Sequence, residues 1–323
     1  MSLIIEQDLQ QLKHHFPTLK FKPNFKLSRI TYFKIGGPAE LLVEVENRNL
    51  LVKLLQYCQQ HDLRFTILGG ASNVIVADEG VEGLVVLTRH QQLEVLDKNP
   101  NNAILQVESG IRTSTLVSEV VELGLTGLEP FLGVPGRLGG AVFNNAHFKN
   151  DYIGDYIQQV EVLNQSGDIQ WLSQDECEFA YDCSRFQTSG EVILRVKFTL
   201  KYGNKAVSKK KIKETTLYRI QTQPLGMPSS GCIFQNVPNN DELKRKFPQF
   251  KDAKYISAGF LIDHVGLKGL KQGGAKVSNK HAAFIVNEGN ATAQDVLSLI
   301  EQIKSQVKQK FNVELQEEVF WLD

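Results

Sequence analysis

From residue 89 to residue 202 apolar and polar residues alternate in short runs, LEVLD, AILQVESG, IQQVEVLNQSG, DIQWLS and EVILRVKFTLKYG, separated by turn residues. A period of two is the pattern of strands that bury one face, so this stretch predicts a β-sheet. One helical pattern interrupts it. TSTLVSEVVELGL puts Leu116, Val120 and Leu123 on one face, with Thr113 or Ser114 as cap and Gly124 as stop.

The flanking segments read differently. Before residue 89 the pattern is helix, strand, helix, strand. The N-terminal helix carries Leu3, Ile4, Leu9, Leu12 and Phe16. A second helix, NLLVKLLQYCQQHDL, carries Leu50, Leu51, Leu54, Leu55 and Cys58. After about residue 203 comes a basic stretch with the run Lys209 to Lys211, read as a solvated hinge or helix start. Then follow a strand at GCIFQNV, a short helix at AGFLIDHVGL and a long helix whose stripe is Val296, Leu299, Ile300, Ile303 and Val307, with Thr292 and Asp295 as its start signal. These shifts divide the chain into three units, near 1–88, 89–203 and 204–323.

Charge narrows the function. Lys and Arg number 36 and so do Asp and Glu, which gives no electrostatic case for a nucleic-acid or anionic-membrane partner. No apolar run is long enough to span a bilayer. The N-terminus lacks the charged start and apolar run of a signal peptide, so a cytoplasmic protein is expected. Cys58, Cys177, Cys183 and Cys232 are scattered without zinc-ligand spacing. They read as thiols, and no metal is expected.

Two glycine-rich turns carry the strongest chemical suggestion. LGGASNVIVAD runs an apolar strand into Gly69 and Gly70, followed by Ala71, Ser72 and Asn73. FLGVPGRLGGAVFNNAHF holds Gly133, Val134, Pro135, Gly139 and Gly140, then Asn144 and Asn145. Successive backbone N–H groups in such turns suit a phosphate. Neither turn is a Rossmann or Walker fingerprint. Each alone is equally well a tight turn between strands; as a pair, with amides beside both, they fit one elongated, doubly phosphorylated cofactor.

The order of motifs FKIGGPAELLVEV, ILGGASNVIVAD, GVPGRLGGAVFNNA, PSSGCIFQN, AGFLIDHVGLKG, GGAKVSNKHAAFIVNEGNATAQDVLSLI and VELQEEVFWL resembles the UDP-N-acetylenolpyruvoylglucosamine reductases of peptidoglycan precursor synthesis, in their shorter type without a tyrosine-bearing loop. The resemblance spans about Phe25 to Leu322. It implies an α+β fold: an FAD-binding domain of the vanillyl-alcohol-oxidase type in two α+β subdomains, plus a C-terminal α+β substrate domain. It implies FAD between the first two units, NADPH as reductant, and hydride transfer to the enolpyruvyl ether of a nucleotide sugar, in a cytoplasmic monomer. It places the proton donor at Cys232, because a Ser or Cys follows a glycine there. It places an enediolate-stabilising carboxyl at Glu318, with Glu317 beside it. Tyr181, Asn236 and Lys276 are implied substrate contacts, with the KVSNKH stretch as a candidate for the diphosphate. A thiol, with an ordinary pKa of about 8.5, is mostly protonated at neutral pH and suits proton donation. Without the resemblance, Cys232 reads as a turn cysteine and Glu318 as a strand-edge carboxylate.

Three positions depart from the family pattern. The pattern has Y-R-x-S-x-F where this chain reads FAYDCSRFQ, so Asp182 replaces the arginine that steadies the developing charge. Arg185 supplies the missing cation if the backbone bulges, since residues three apart in a regular strand face opposite sides; Lys276, Lys280 and Arg219 are the alternatives. Gln235 replaces a lysine. NAHFKNDYIGD replaces NAGAYG, and His147 there reads as a hydrogen-bonded histidine. The departures keep two further readings open: another flavin oxidase or dehydrogenase, and a non-catalytic flavin or nucleotide-sugar binding protein.

Overall fold

The computed structural model describes residues 6–323; Leu3 and Ile4 of the first helical stripe lie outside them. Helices and strands are mixed throughout. The contacts gather into two compact units. The first holds the residues up to Phe25, Ala39–Gly70 and Glu82–Tyr218; the second holds Lys26–Pro38, Ala71–Val81 and Arg219–Asp323. The stretch read as one N-terminal piece is therefore shared. Two of its segments carry the apolar side chains Phe33, Ile35 and Ile75, and these belong to the core of the C-terminal unit.

The first unit contains two larger sheets, a two-stranded ribbon of His147–Phe148 and Asp151–Tyr152, and two hydrophobic clusters. One sheet runs in the order Lys22–Lys26, Pro38–Val45, Val81–Thr88, Phe65–Leu68, the last two strands being parallel. Seven of the eight residues of Val81–Thr88 are buried, as a central strand covered on both faces requires. The helix Arg48–Gln60 starts where Asn47 accepts the Leu50 N–H and lays Leu51, Leu54, Leu55 and Cys58 into the first cluster.

The second sheet realises the period-two stretch. Its antiparallel strands run Ile169–Ser173, Ile157–Leu163, Val192–Tyr202, Asn102–Glu108, Leu93–Lys98. The helix Thr113–Glu122 contributes Leu116, Val117 and Val120 to its cluster. The expected cap at Thr113 or Ser114 is absent: Arg112 holds the cap position without a side-chain bond, and Gly124 follows the end at φ 76°. The basic run lies in an eighteen-residue helix, Lys205–Thr222, where Lys205 and Lys209 both meet Glu122.

The second unit is built around the helix Ala293–Phe311, whose Val296, Leu299, Ile300, Ile303 and Val307 are buried. Thr292 and Asp295 form the anticipated capping box. Asp78, distant in sequence, accepts the next two N–H groups, those of Ala293 and Gln294. Phe320–Leu322 pairs in parallel with Val74–Val76, and Lys271–Gln272, Ala275–Val277 and Ile285–Asn287 form a small antiparallel sheet. Among the described residues no helix is long and apolar enough to cross a membrane.

Candidate functional site

The two glycine turns meet within the first unit. A Cβ placed on Gly70 would lie 2.4 Å from Gly136 Cα, and one on Gly69 would lie 3.4 Å from Arg137 Cβ. At Gly70 only a residue without a Cβ allows so close an approach, whereas the Gly69 distance is an ordinary contact. Arg89 fixes the first turn by donating from Nη1 to the Gly69 carbonyl at 2.7 Å. Arg137 donates to the Gly110 carbonyl. Gly133 and Pro135 lie on the exposed approach, with the Val134 N–H on the Phe131 carbonyl. Gly139 and Gly140 are not in an open loop, as the sequence suggested, but in the six-residue helix Leu138–Phe143.

The ends of that helix distinguish the two asparagines. Asn145, at φ 45°, spends its amide on the fold: it donates to the Ala180 carbonyl at 2.7 Å and accepts the Gly154 N–H at 3.0 Å. Asn144 Oδ1 is buried with no hydrogen-bond partner, and so is Thr113 Oγ1, whose backbone N–H reaches the Gly136 carbonyl. A Cβ on Gly140 would meet nothing within 4 Å. Open space at one glycine, close backbone approach at another, and two buried polar atoms awaiting partners fit a ligand rich in hydrogen-bonding groups, as a flavin dinucleotide is. Of the first turn, Ala71 takes φ 50°. Asn73 belongs to the second unit, where it donates to the Glu318 carbonyl and accepts the Phe320 N–H.

The FAYDCSRFQ stretch is a tight turn and not a strand. Ala180 and Cys183 pair across it, and Asp182 has φ 49°. Ser184 and Gln187 anchor it to the Phe143 carbonyl. Asp182 is 7% exposed and pairs with His147 Nδ1 at 3.1 Å; Tyr181 and Tyr152 flank that imidazole. Arg185, the expected substitute cation, is engaged elsewhere in this structure. Its guanidinium holds the buried Glu191 at 3.0 and 3.2 Å and the Glu176 carbonyl at 3.0 Å, so its charge is spent on the fold. Neither the turn nor the partnership between positions 147 and 182 shows in the alternation of apolar and polar residues.

In the second unit Cys232 follows Gly231 (φ 86°) and pairs with Phe284. The GCIFQNV stretch makes isolated pairings here instead of a regular strand: Phe234 pairs with Glu317, and the Glu318 N–H donates to the Ile233 carbonyl at 2.8 Å. Cys232 and Glu318 thus lie on paired segments, both partly exposed. Glu317 is consumed structurally by Lys304 and by Trp321 Nε1. The Ser230 hydroxyl, two residues before Cys232, is buried without a partner. Sequence reading passed over it, because a serine in a turn carries no pattern.

The remaining polar candidates of this unit are partly committed. Asn236 Oδ1 accepts the Ala258 N–H at the start of the helix Ala258–Val265. Lys276 pairs at 2.8 Å with Glu288, which also meets Lys271. Lys280 donates to the Ile220 carbonyl. Among the described residues no cluster of His, Cys, Asp and Glu is arranged to hold a metal ion.

Comparison with known proteins agrees with this geometry. Residues 39–173 match the model of an FAD-binding domain, and residues 223–322 match that of the UDP-N-acetylenolpyruvoylglucosamine reductase C-terminal domain. The reductase of Caldanaerobacter subterraneus subsp. tengcongensis is 37% identical over 311 residues, 96% of each chain. That of Chlamydia felis is 38% identical over 305 residues, 94% of this chain and 95% of its own. The crystal structure of the Thermus caldophilus reductase, 31% identical, superposes with a TM-score of 0.76 over 94% of this chain and 99% of that one. Full-length relatives at this identity, with both domain models in register, establish that the chain belongs to the UDP-N-acetylenolpyruvoylglucosamine reductase family.

Proposed function

We propose that the protein reduces the enolpyruvyl ether of UDP-N-acetylglucosamine enolpyruvate to UDP-N-acetylmuramate in the cytoplasm, as a monomer, with NADPH as reductant. In this reading residues near 1–88 and 89–203 serve as two FAD-binding subdomains and residues 204–323 as the substrate domain, with the segments 26–38 and 71–81 packed into the second compact unit. Gly69, Gly70, Gly139, Gly140, Asn144 and Thr113 are the residues that would hold FAD. Bound FAD, reduced by NADPH, supplies the hydride.

Hydride addition at the β-carbon of the enol ether leaves negative charge on the substrate carboxylate, as an enediolate. Groups aimed at that charge are commonly the largest catalytic contribution. Glu318, when protonated, donates a hydrogen bond to it. The Cys232 thiol then gives its proton to the α-carbon and is reprotonated from water, so the net uptake is one hydride and one proton. The observation that carries this reading is the pairing of the Ile233 and Glu318 backbones, which puts a thiol and a carboxyl on neighbouring segments while Glu317 is tied to Lys304.

The test is NADPH absorbance in the presence and absence of the enolpyruvyl substrate. The FAD-loaded protein is expected to consume NADPH only with it. Cys232→Ala is expected to lower turnover by roughly 10²- to 10⁴-fold, the range for a lost general acid, with FAD content unchanged. Full turnover in that variant would remove Cys232 from the mechanism.

A further inference from the structure

Two of the departures from the family pattern, His147 and Asp182, touch each other. His147 Nδ1 lies 3.1 Å from Asp182 Oδ1. The other carboxylate oxygen of Asp182 is buried and has no hydrogen-bond partner. Among the described residues this is the one ion pair that Asp182 makes.

The other basic groups nearby are engaged elsewhere. Arg185 is tied to Glu191. The Lys149 ammonium sits over the Phe148 and Tyr218 rings, at 5.6 and 5.1 Å. Asp155 accepts the Tyr152 N–H. Tyr152 and Tyr181 cover the imidazole with their rings, at 5.4 and 5.0 Å between centroids. A buried carboxylate without a paired donor is costly. With Nδ1 committed to Asp182, Nε2–H is the remaining donor, and the side chain keeps 19% of its surface exposed. The pair is fixed to the cofactor-side scaffold. Asn145 and Gln187 hold the carbonyls of Ala180 and Asp182, and Ser184 holds that of Phe143.

We propose that the imidazolium of His147, oriented through Nδ1 by Asp182, binds the carboxylate of the substrate through Nε2–H and takes up the negative charge that develops there, in place of the arginine that the family pattern has at position 182. The pair inverts the usual arrangement: the backbone position of the guanidinium now holds the carboxylate that orients a cation from the neighbouring segment. This rests on the reductase reading above.

The experiment compares the FAD-loaded parent with His147→Gln, Asp182→Asn and the double variant His147→Gly with Asp182→Arg. It reads kcat/KM and calorimetric binding of UDP-N-acetylmuramate, which carries the same carboxylate. FAD content and Tm serve as folding controls. His147→Gln is expected to lose about a hundredfold in kcat/KM and about tenfold in product affinity. Asp182→Asn is expected to lose kcat/KM as well. The double variant is expected to recover to within about tenfold of the parent, because a guanidinium then stands where the family pattern has it. A His147→Gln protein within about threefold of an active parent on kcat/KM and product affinity would overturn the proposal and leave the reductase reading standing. A parent with no substrate-dependent NADPH oxidation would overturn both.

Discussion

Burial separates the four cysteines chemically. Cys58 and Cys177 are fully buried, and burial pushes both thiols up to about 12, so they serve as small apolar residues. Cys183 is exposed and Cys232 half-buried; only Cys232 stands beside a second candidate acid. His90 shows the same physics with the opposite sign. It is fully buried, with Nε2 on Ser109 Oγ at 3.1 Å and Nδ1 without a partner. Burial pushes it down to about 4 from the ordinary 6.5. The folded protein therefore holds His90 neutral where the unfolded chain protonates it. The stability this contributes is complete above pH 6.5 and is lost as pH falls through 4. The depression corresponds to about 3 kcal/mol over that window. Urea unfolding of the parent is expected to show this loss, and His90→Asn to show a visibly shallower pH dependence. An equal slope in the variant would mean that His90 does not carry it.

At the scale of elements, the glycine turns separate into one that shapes the protein and one that faces open space. Gly70→Ala drives a methyl to 2.4 Å from the Gly136 backbone, so the variant is expected to be destabilised with or without FAD. Gly140→Ala meets no protein atom within 4 Å, and alanine favours its helical position by about 1 kcal/mol over glycine. That variant is expected to melt no lower than the parent when apo and to bind FAD more weakly; unimpaired FAD affinity would show that Gly140 does not face the cofactor. The sequence made the strands of the second sheet legible because each buries one face and so alternates. It made the long C-terminal helix legible because the stripe and the Thr292–Asp295 cap agree. It did not reveal the turn at Ala180–Cys183 or the helix Leu138–Phe143. The first lacks glycine and proline and places Asp182 in the left-handed region; the second is one turn and a half of helix with two glycines in it. Cys232 and Glu318 enter as candidates only through the order of motifs. The commitments of Arg185 to Glu191 and of His147 to Asp182 depend on tertiary contacts that leave no periodicity.

For the whole molecule, the decisive feature is that the C-terminal unit is discontinuous. Its core includes Phe33, Ile35 and Ile75 beside Ile233, Phe234 and the stripe of the long helix. Its last strand pairs with Val74–Val76, and its long helix is capped by Asp78. A fragment of residues 219–323 alone is expected to be unfolded by circular dichroism and amide dispersion. Addition of a peptide spanning residues 71–81 is expected to raise its helicity. A well-dispersed spectrum from the fragment alone would show that the borrowed segments are dispensable.

That borrowing has a consequence in time. Residues 26–38 and 71–81 leave the ribosome long before Arg219 is made, and at about 5–20 residues per second the interval is on the order of ten seconds. Through that interval Phe33, Ile35 and Ile75 are on the nascent chain without the side chains that will bury them. The first unit has every residue it needs once Tyr218 is in place, whereas the second must reach back for strands synthesised early. Synthesis thus presents a folded flavin domain trailing apolar loops, a species on which a holding chaperone would act, and the unit that carries Cys232 becomes competent only after the strand Phe320–Leu322 has emerged.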